Sequence, residues 1–117
     1  MSTVTIYHNP KCSTSRKALE LLRERGIEPT VIDYLKTPPS AADIQAIARA
    51  TGEPLRALLR TKQPEYLAQG LDKPQLTDAQ LAAALHATPV LIERPIVVTA
   101  KGARLGRPLE RILDVLD

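Results

Sequence analysis

The 117-residue sequence contains no phenylalanine and no tryptophan, and its only aromatic residues are three tyrosines. Leu, Ile, Val and Ala must therefore fill the core, in keeping with a hydrophobic fraction of 44%. So few aromatics leave little to stack on bases, and there is no lysine-rich run, so nucleic acid is not an expected partner. A single cysteine excludes an internal disulfide, and two histidines beside it are too few for a Cys/His zinc site, so no metal is expected. No apolar run approaches the length of a bilayer-spanning helix, and no charged-then-apolar leader opens the chain. A cytoplasmic location without membrane attachment is expected. The net charge of +3 is mild and fits a solvated surface. The length fits a single domain, 1–117, able to bury a real core without disulfide staples.

The pattern along the chain gives the architecture. Thr3-Val4-Thr5-Ile6-Tyr7 alternates polar and apolar residues and reads as a strand. Pro10 interrupts it, and from Ser13 to Arg25 an apolar stripe of Ala18, Leu19, Leu21 and Leu22 marks a helix that Gly26 stops. Thr30–Tyr34 is a second strand. This β-loop-α-β opening favours a parallel pair. From about 40 to 87 the pattern is all helical. Ser40–Asp43 and Thr77–Gln80 carry capping-box signatures, and shorter helices are expected over Leu55–Arg60 and from Pro64 to Gly70. Val90-Leu91-Ile92 reads as a short buried segment. Ile96-Val97-Val98, a turn through Gly102, and Ala103-Arg104-Leu105 form a hairpin, and Pro108 opens a last helix carrying Leu109, Ile112, Leu113 and Leu116. These are the parts of an α/β, thioredoxin-like fold with an all-helical insert between the second and third strands. Such a fold commonly places a cis-proline just before the third strand, which is where Pro95 stands.

The chemistry concentrates between His8 and Arg16, where the first strand gives way to the first helix. Cys12 sits at that helix N-terminus. Unpaired backbone N–H groups and the positive end of the helix dipole both favour thiolate there, and a cysteine pKa in such a place falls from about 8.5 to about 3.5–7.5. Lys11 and Arg16 add positive charge. The same N–H groups bind oxyanions, and Ser13, Thr14 and Ser15 can add hydroxyl donors. Arg60, Arg94 and Arg107 are the candidate cationic partners for a tetrahedral anion, because a guanidinium grips one through two donors. If Cys12 reduces a substrate, the second thiol must be external, since Ser15 stands where a Cys-x-x-Cys pair would need its second cysteine.

Four motifs in order carry a family resemblance. His-Asn-Pro-x-Cys-x-x-Ser-Arg at 8–16, Arg-Ala-Leu-Leu-Arg at 56–60, Glu-Arg-Pro-Ile-Val-Val at 93–98 and Gly-Arg-Pro at 106–108 resemble the arsenate reductases that use glutathione and glutaredoxin, the ArsC type. Ser13 in place of the Gly of Cys-Gly-Thr-Ser, and a chain ending soon after the last helix, are similar to the shorter chromosomal members. The resemblance implies reduction of arsenate to arsenite, with Cys12 as nucleophile and His8 as the group lowering its pKa. It implies Arg60, Arg94 and Arg107 as oxyanion ligands. It further implies glutathione as co-substrate, glutaredoxin as partner, no bound cofactor and a monomer. Two other readings share these features. One is a glutathione-dependent thiol oxidoreductase acting on mixed disulfides. The other is a regulator of the Spx type, which binds RNA polymerase; such proteins generally carry a Cys-x-x-Cys switch that this sequence lacks.

Overall fold

A computed structural model describes residues 3–116. They contain β1 (Thr5–His8), α1 (Ser13–Glu24), β2 (Thr30–Asp33), α2 (Ala41–Thr51), α3 (Pro64–Ala68), α4 (Asp78–Ala87), β3 (Ile96–Thr99) and β4 (Gly102–Leu105). Three 3-10 helices, Leu55–Leu58, Pro89–Leu91 and Leu109–Val115, lie between and after them. None of the helices among the described residues is long and apolar enough to cross a membrane. The chain divides into two compact units: one holds the residues up to Thr37 and those from Arg94 onward, the other is Pro38–Glu93. The second unit contains the expected helical insert and runs about two residues further at its start and about six further at its end.

In the first unit the strands run in the order β2-β1-β3-β4. β1 pairs parallel with β2 and antiparallel with β3, and β3 pairs antiparallel with β4. Because successive side chains on a strand alternate in direction, Val4 and Ile6 share one face, and Ile6 lies opposite Val97 in the register. On that face Ala18 and Leu22 of α1 and Ile112, Val115 and Leu116 from the chain end pack against them to form the core. Burying each such aliphatic side chain is worth roughly 1.5–3 kcal/mol. The final helix differs from the expected one in kind. It is 3-10, so a repeat of three residues puts Leu109, Ile112 and Val115 on one side, and Leu113 is left 40% exposed.

The second unit has its own core. Ile44, Ile47 and Ala48 of α2 meet Leu81, Ala82 and Leu85 of α4, and Leu55 and Leu58 pack beside both. Both caps form. Ser40 Oγ accepts from the Asp43 N–H, and Thr77 with Gln80 makes a reciprocal capping box. The expected helix Leu55–Arg60 closes earlier, at Leu58, so Arg60 lies beyond it. There a bridge pairs Leu59 with Ile92, and the Arg60 N–H donates to the Leu91 carbonyl at 2.8 Å.

Two X-Pro bonds in the first unit are cis, Arg94–Pro95 and Arg107–Pro108. Gly106 joins them. Its N–H donates to the Pro95 carbonyl at 2.9 Å, and a Cβ added at this glycine would stand 2.7 Å from Pro95 Cγ and 3.4 Å from Ile112 Cγ2. Only glycine allows this approach of the two Arg-Pro segments. Gly106→Ala is expected to lower the denaturation midpoint by the equivalent of about 1–3 kcal/mol, the usual cost of overpacking. Urea unfolding with an unchanged slope is the check, and a midpoint equal to that of the parent protein would contradict the packing described.

Candidate active site

The strand order brings the end of β1, the start of α1, the start of β3 and the end of β4 to one edge of the first unit. β1 ends at His8, and four residues later Cys12 occupies the N-cap of α1 in an extended conformation, φ −93° and ψ 121°. Its N–H donates to the Asn9 carbonyl at 3.0 Å, and its own carbonyl accepts from the Arg16 N–H at 3.0 Å, so the loop is closed on both sides of the sulfur. At an N-cap the side chain faces the unpaired N–H groups of the first turn, and here that side chain is a thiol. The first turn carries no acidic residue.

Opposing forces act on the Cys12 thiol. Burial pushes its pKa up, since only 8% of the residue is exposed. The Ser15 N–H, the charge of Arg94, the Thr14 N–H and the charge of Arg107 all pull it down, and together they prevail. The balance leaves the pKa below the ordinary thiol value. Arg107 Nη2 donates to Cys12 Sγ at 3.8 Å, while its Nε donates to the Arg94 carbonyl at 2.8 Å. Arg107 thus reaches from the residue before one cis-proline to the sulfur, with its own following proline also cis. Pro95 is buried behind this contact.

His8 is buried, and its Nδ1 lies 2.6 Å from Ser15 Oγ. Ser15 is fully buried, and its oxygen also accepts from the Asn9 N–H at 3.0 Å. Burial is the main cause holding the His8 pKa below the usual imidazole value; Arg16 and Arg23 act the same way, while Asp33 and the Ser15 bond oppose them. A neutral imidazole at pH 7 puts no positive charge beside the sulfur, so the influence of His8 on Cys12 passes through Ser15. Ser15 also enters differently from its expected role as a hydroxyl donor to an anion. Its hydroxyl is committed to His8 and Asn9, and what it offers the sulfur is its backbone N–H. Ser13 is exposed and Thr14 half-buried on the same first turn. Arg60 belongs to the other unit, where Nη1 donates to the Val90 carbonyl at 3.3 Å.

Of the residues singled out from the sequence, the structure brings Cys12, Arg94 and Arg107 together, and it adds a link between His8 and Ser15 that the sequence did not suggest. The two stand seven residues apart across a strand end and a helix start, a separation that no single periodicity connects. The second cis-proline did have a signal, since Arg107-Pro108 repeats Arg94-Pro95. The depressed thiol pKa has a direct consequence for reactivity. Iodoacetamide alkylation of Cys12 should rise with pH and reach its plateau below the range of free cysteine. In Arg107→Gln the inflection should move up toward that range, because a cation favouring the thiolate has gone. An inflection at the free-cysteine value in the parent protein would remove the thiolate from this account.

Comparison with known proteins gives a consistent picture. The ArsC family profile matches residues 7–115. The chain is 50% identical over 116 residues to an arsenate reductase of Escherichia coli, which covers 99% of this chain and 82% of that protein. It is 44% identical to an arsenate reductase of Neisseria meningitidis, covering 99% of this chain and 100% of that one. A solved structure of an arsenate reductase from Vibrio cholerae superposes with a TM-score of 0.94 at 47% identity, covering 97% of this chain and 98% of that one. The helix cap at Cys12 with its two Arg-Pro segments therefore stands on the thioredoxin-like fold of such proteins, and the chain belongs to the ArsC family.

Proposed function

We propose that this protein reduces arsenate to arsenite, with Cys12 as the nucleophile. The observation that carries the reading is the meeting of a thiolate-stabilising helix cap with the positive charges of Arg94 and Arg107. A thiolate alone would serve many reactions. The Arg107 guanidinium donating to the sulfur and the positive charge of Arg94 acting on it suit a tetrahedral oxyanion, whose charge they would hold during attack. A mixed-disulfide substrate places no tetrahedral oxyanion at the sulfur.

In the proposed reaction the Cys12 thiolate bonds to arsenic, and one arsenate oxygen takes up protons and leaves as water. Arg94 and Arg107 hold the remaining oxygens. The Ser15 and Thr14 N–H groups keep the sulfur ionised until it attacks, and His8 fixes Ser15 in place. Arsenic is then reduced by two electrons from two thiols, glutathione and a glutaredoxin thiol, which end as a disulfide as arsenite departs and Cys12 is restored. Both thiols come from outside, since Cys12 is the only cysteine of the chain. Arg60 enters the proposal by family resemblance alone, as a further oxyanion ligand. The proposed protein acts without a bound cofactor, as a cytoplasmic monomer.

A coupled assay with arsenate, glutathione, glutaredoxin, glutathione reductase and NADPH tests the reading. The parent protein should consume NADPH in an arsenate-dependent way, and Cys12→Ser should not. Arg94→Gln and Arg107→Gln should each lower kcat/KM for arsenate by about 10²–10³-fold, the usual effect of removing a transition-state charge partner. Consumption by the parent no greater than by Cys12→Ser would refute the proposal.

A further inference from the structure

We propose that the groove beside the first turns of α1, walled by Thr14, Lys17, Gly106, Arg107, Pro108 and Leu109, is the seat of glutathione. This rests on the reading above that an external thiol completes the chemistry at Cys12. The groove holds about 340 Å³, more than a tetrahedral anion occupies and within the range of small-ligand sites. It lies next to the sulfur, because Arg107, one of its walls, donates to Cys12 Sγ. Thr14 and Lys17 are three apart on α1 and so share a face. Pro108 and Leu109 give the opposite, apolar wall.

Charge selects the occupant. Lys17 and Arg107 are the two charged side chains among the described residues that line the groove, and both are cations. Glutathione carries two carboxylates, one on either side of its cysteine. From Cys12 to Lys17 the helix rises about 7.5 Å. An extended tripeptide spans about 10 Å, so a glutathione sulfur at Cys12 places one carboxylate within reach of the Lys17 ammonium. Two other cavities of this unit fit less well. The groove on the other side of α1 has the mixed charges Arg16, Glu20, Arg23 and Glu24, which offer no net attraction to a carboxylate. A larger cavity, about 930 Å³, is walled by residues including Thr3, Gly26, Thr30 and Thr99, at the strand ends remote from Cys12.

The test follows one thiol–disulfide exchange and needs no arsenate. Cys12 thiolate attacks oxidised glutathione, forms the Cys12–glutathione disulfide and releases one glutathione thiolate. The same exchange with cystamine, a cationic disulfide, gives the comparison. In Lys17→Glu the ratio of the glutathione rate to the cystamine rate should fall by about two- to fivefold, the scale of exposed charge pairs. Arg23→Glu, which alters the mixed groove, should leave the ratio unchanged. An unchanged ratio in Lys17→Glu, or an equal fall in Arg23→Glu, would overturn the proposal. Discrimination between the two disulfides in a protein inactive on arsenate would support the groove while removing the arsenate reading, so the two can fail separately.

Discussion

Everything at this site depends on one placement, the thiol of Cys12 at the N-cap position of α1. A helix start has N–H groups that need an acceptor, and the common solution is a hydroxyl or carboxylate. Here the N-cap residue carries a thiol, and the Ser15 and Thr14 amides favour its ionised form. The structural requirement of the helix and the chemical requirement of a nucleophile therefore point the same way. The cost is burial, which by itself would keep the proton on sulfur. The Ser15 and Thr14 amides with the two arginines overcome that cost.

The rest of the first unit holds this cap in place. β1 delivers the loop, and α1 is fixed to the sheet by Ala18 and Leu22. β3 starts at the Arg94–Pro95 step and β4 runs into Gly106-Arg107-Pro108, so antiparallel pairing of β3 with β4 brings both Arg-Pro segments to one edge. Gly106 lets them close on each other without a side chain between. Arg107 then fastens the Arg94 carbonyl to the Cys12 sulfur. Beneath the loop, His8 and Ser15 form a buried polar pair, and a buried polar group is stable only when satisfied, which is why Ser15 Oγ takes the Asn9 N–H as well.

Much of this was legible from the residues. The alternation at Thr3–Tyr7, the stripe of Ala18 and Leu22, the capping signatures at Ser40 and Thr77, and the hairpin around Gly102 are local patterns, and local patterns survive folding. Cys12 between a strand and a helix announced its chemistry in the same way. What stayed hidden is set by tertiary contact. The final segment has the spacing of an α-helix yet forms a 3-10 helix, whose repeat of three sets partly buried Leu109 in line with buried Ile112 and Val115. The hydroxyls of Ser13, Thr14 and Ser15 look alike in sequence. Only the fold shows Ser15 turned inward to His8 and Ser13 left in solvent. The division into two compact units was likewise hidden, because nothing in the composition of Pro38–Glu93 says that it closes its own core.

The central claim is that arsenic bonds to the sulfur of Cys12 at the N-cap of α1. Arsenic X-ray absorption on the protein mixed with arsenate and glutathione would observe that bond directly. The parent protein should show an arsenic–sulfur scattering path that survives removal of free thiol by gel filtration and is lost in Cys12→Ser. A path present to the same degree in Cys12→Ser, or arsenic bound to the parent through oxygen alone, would contradict the account.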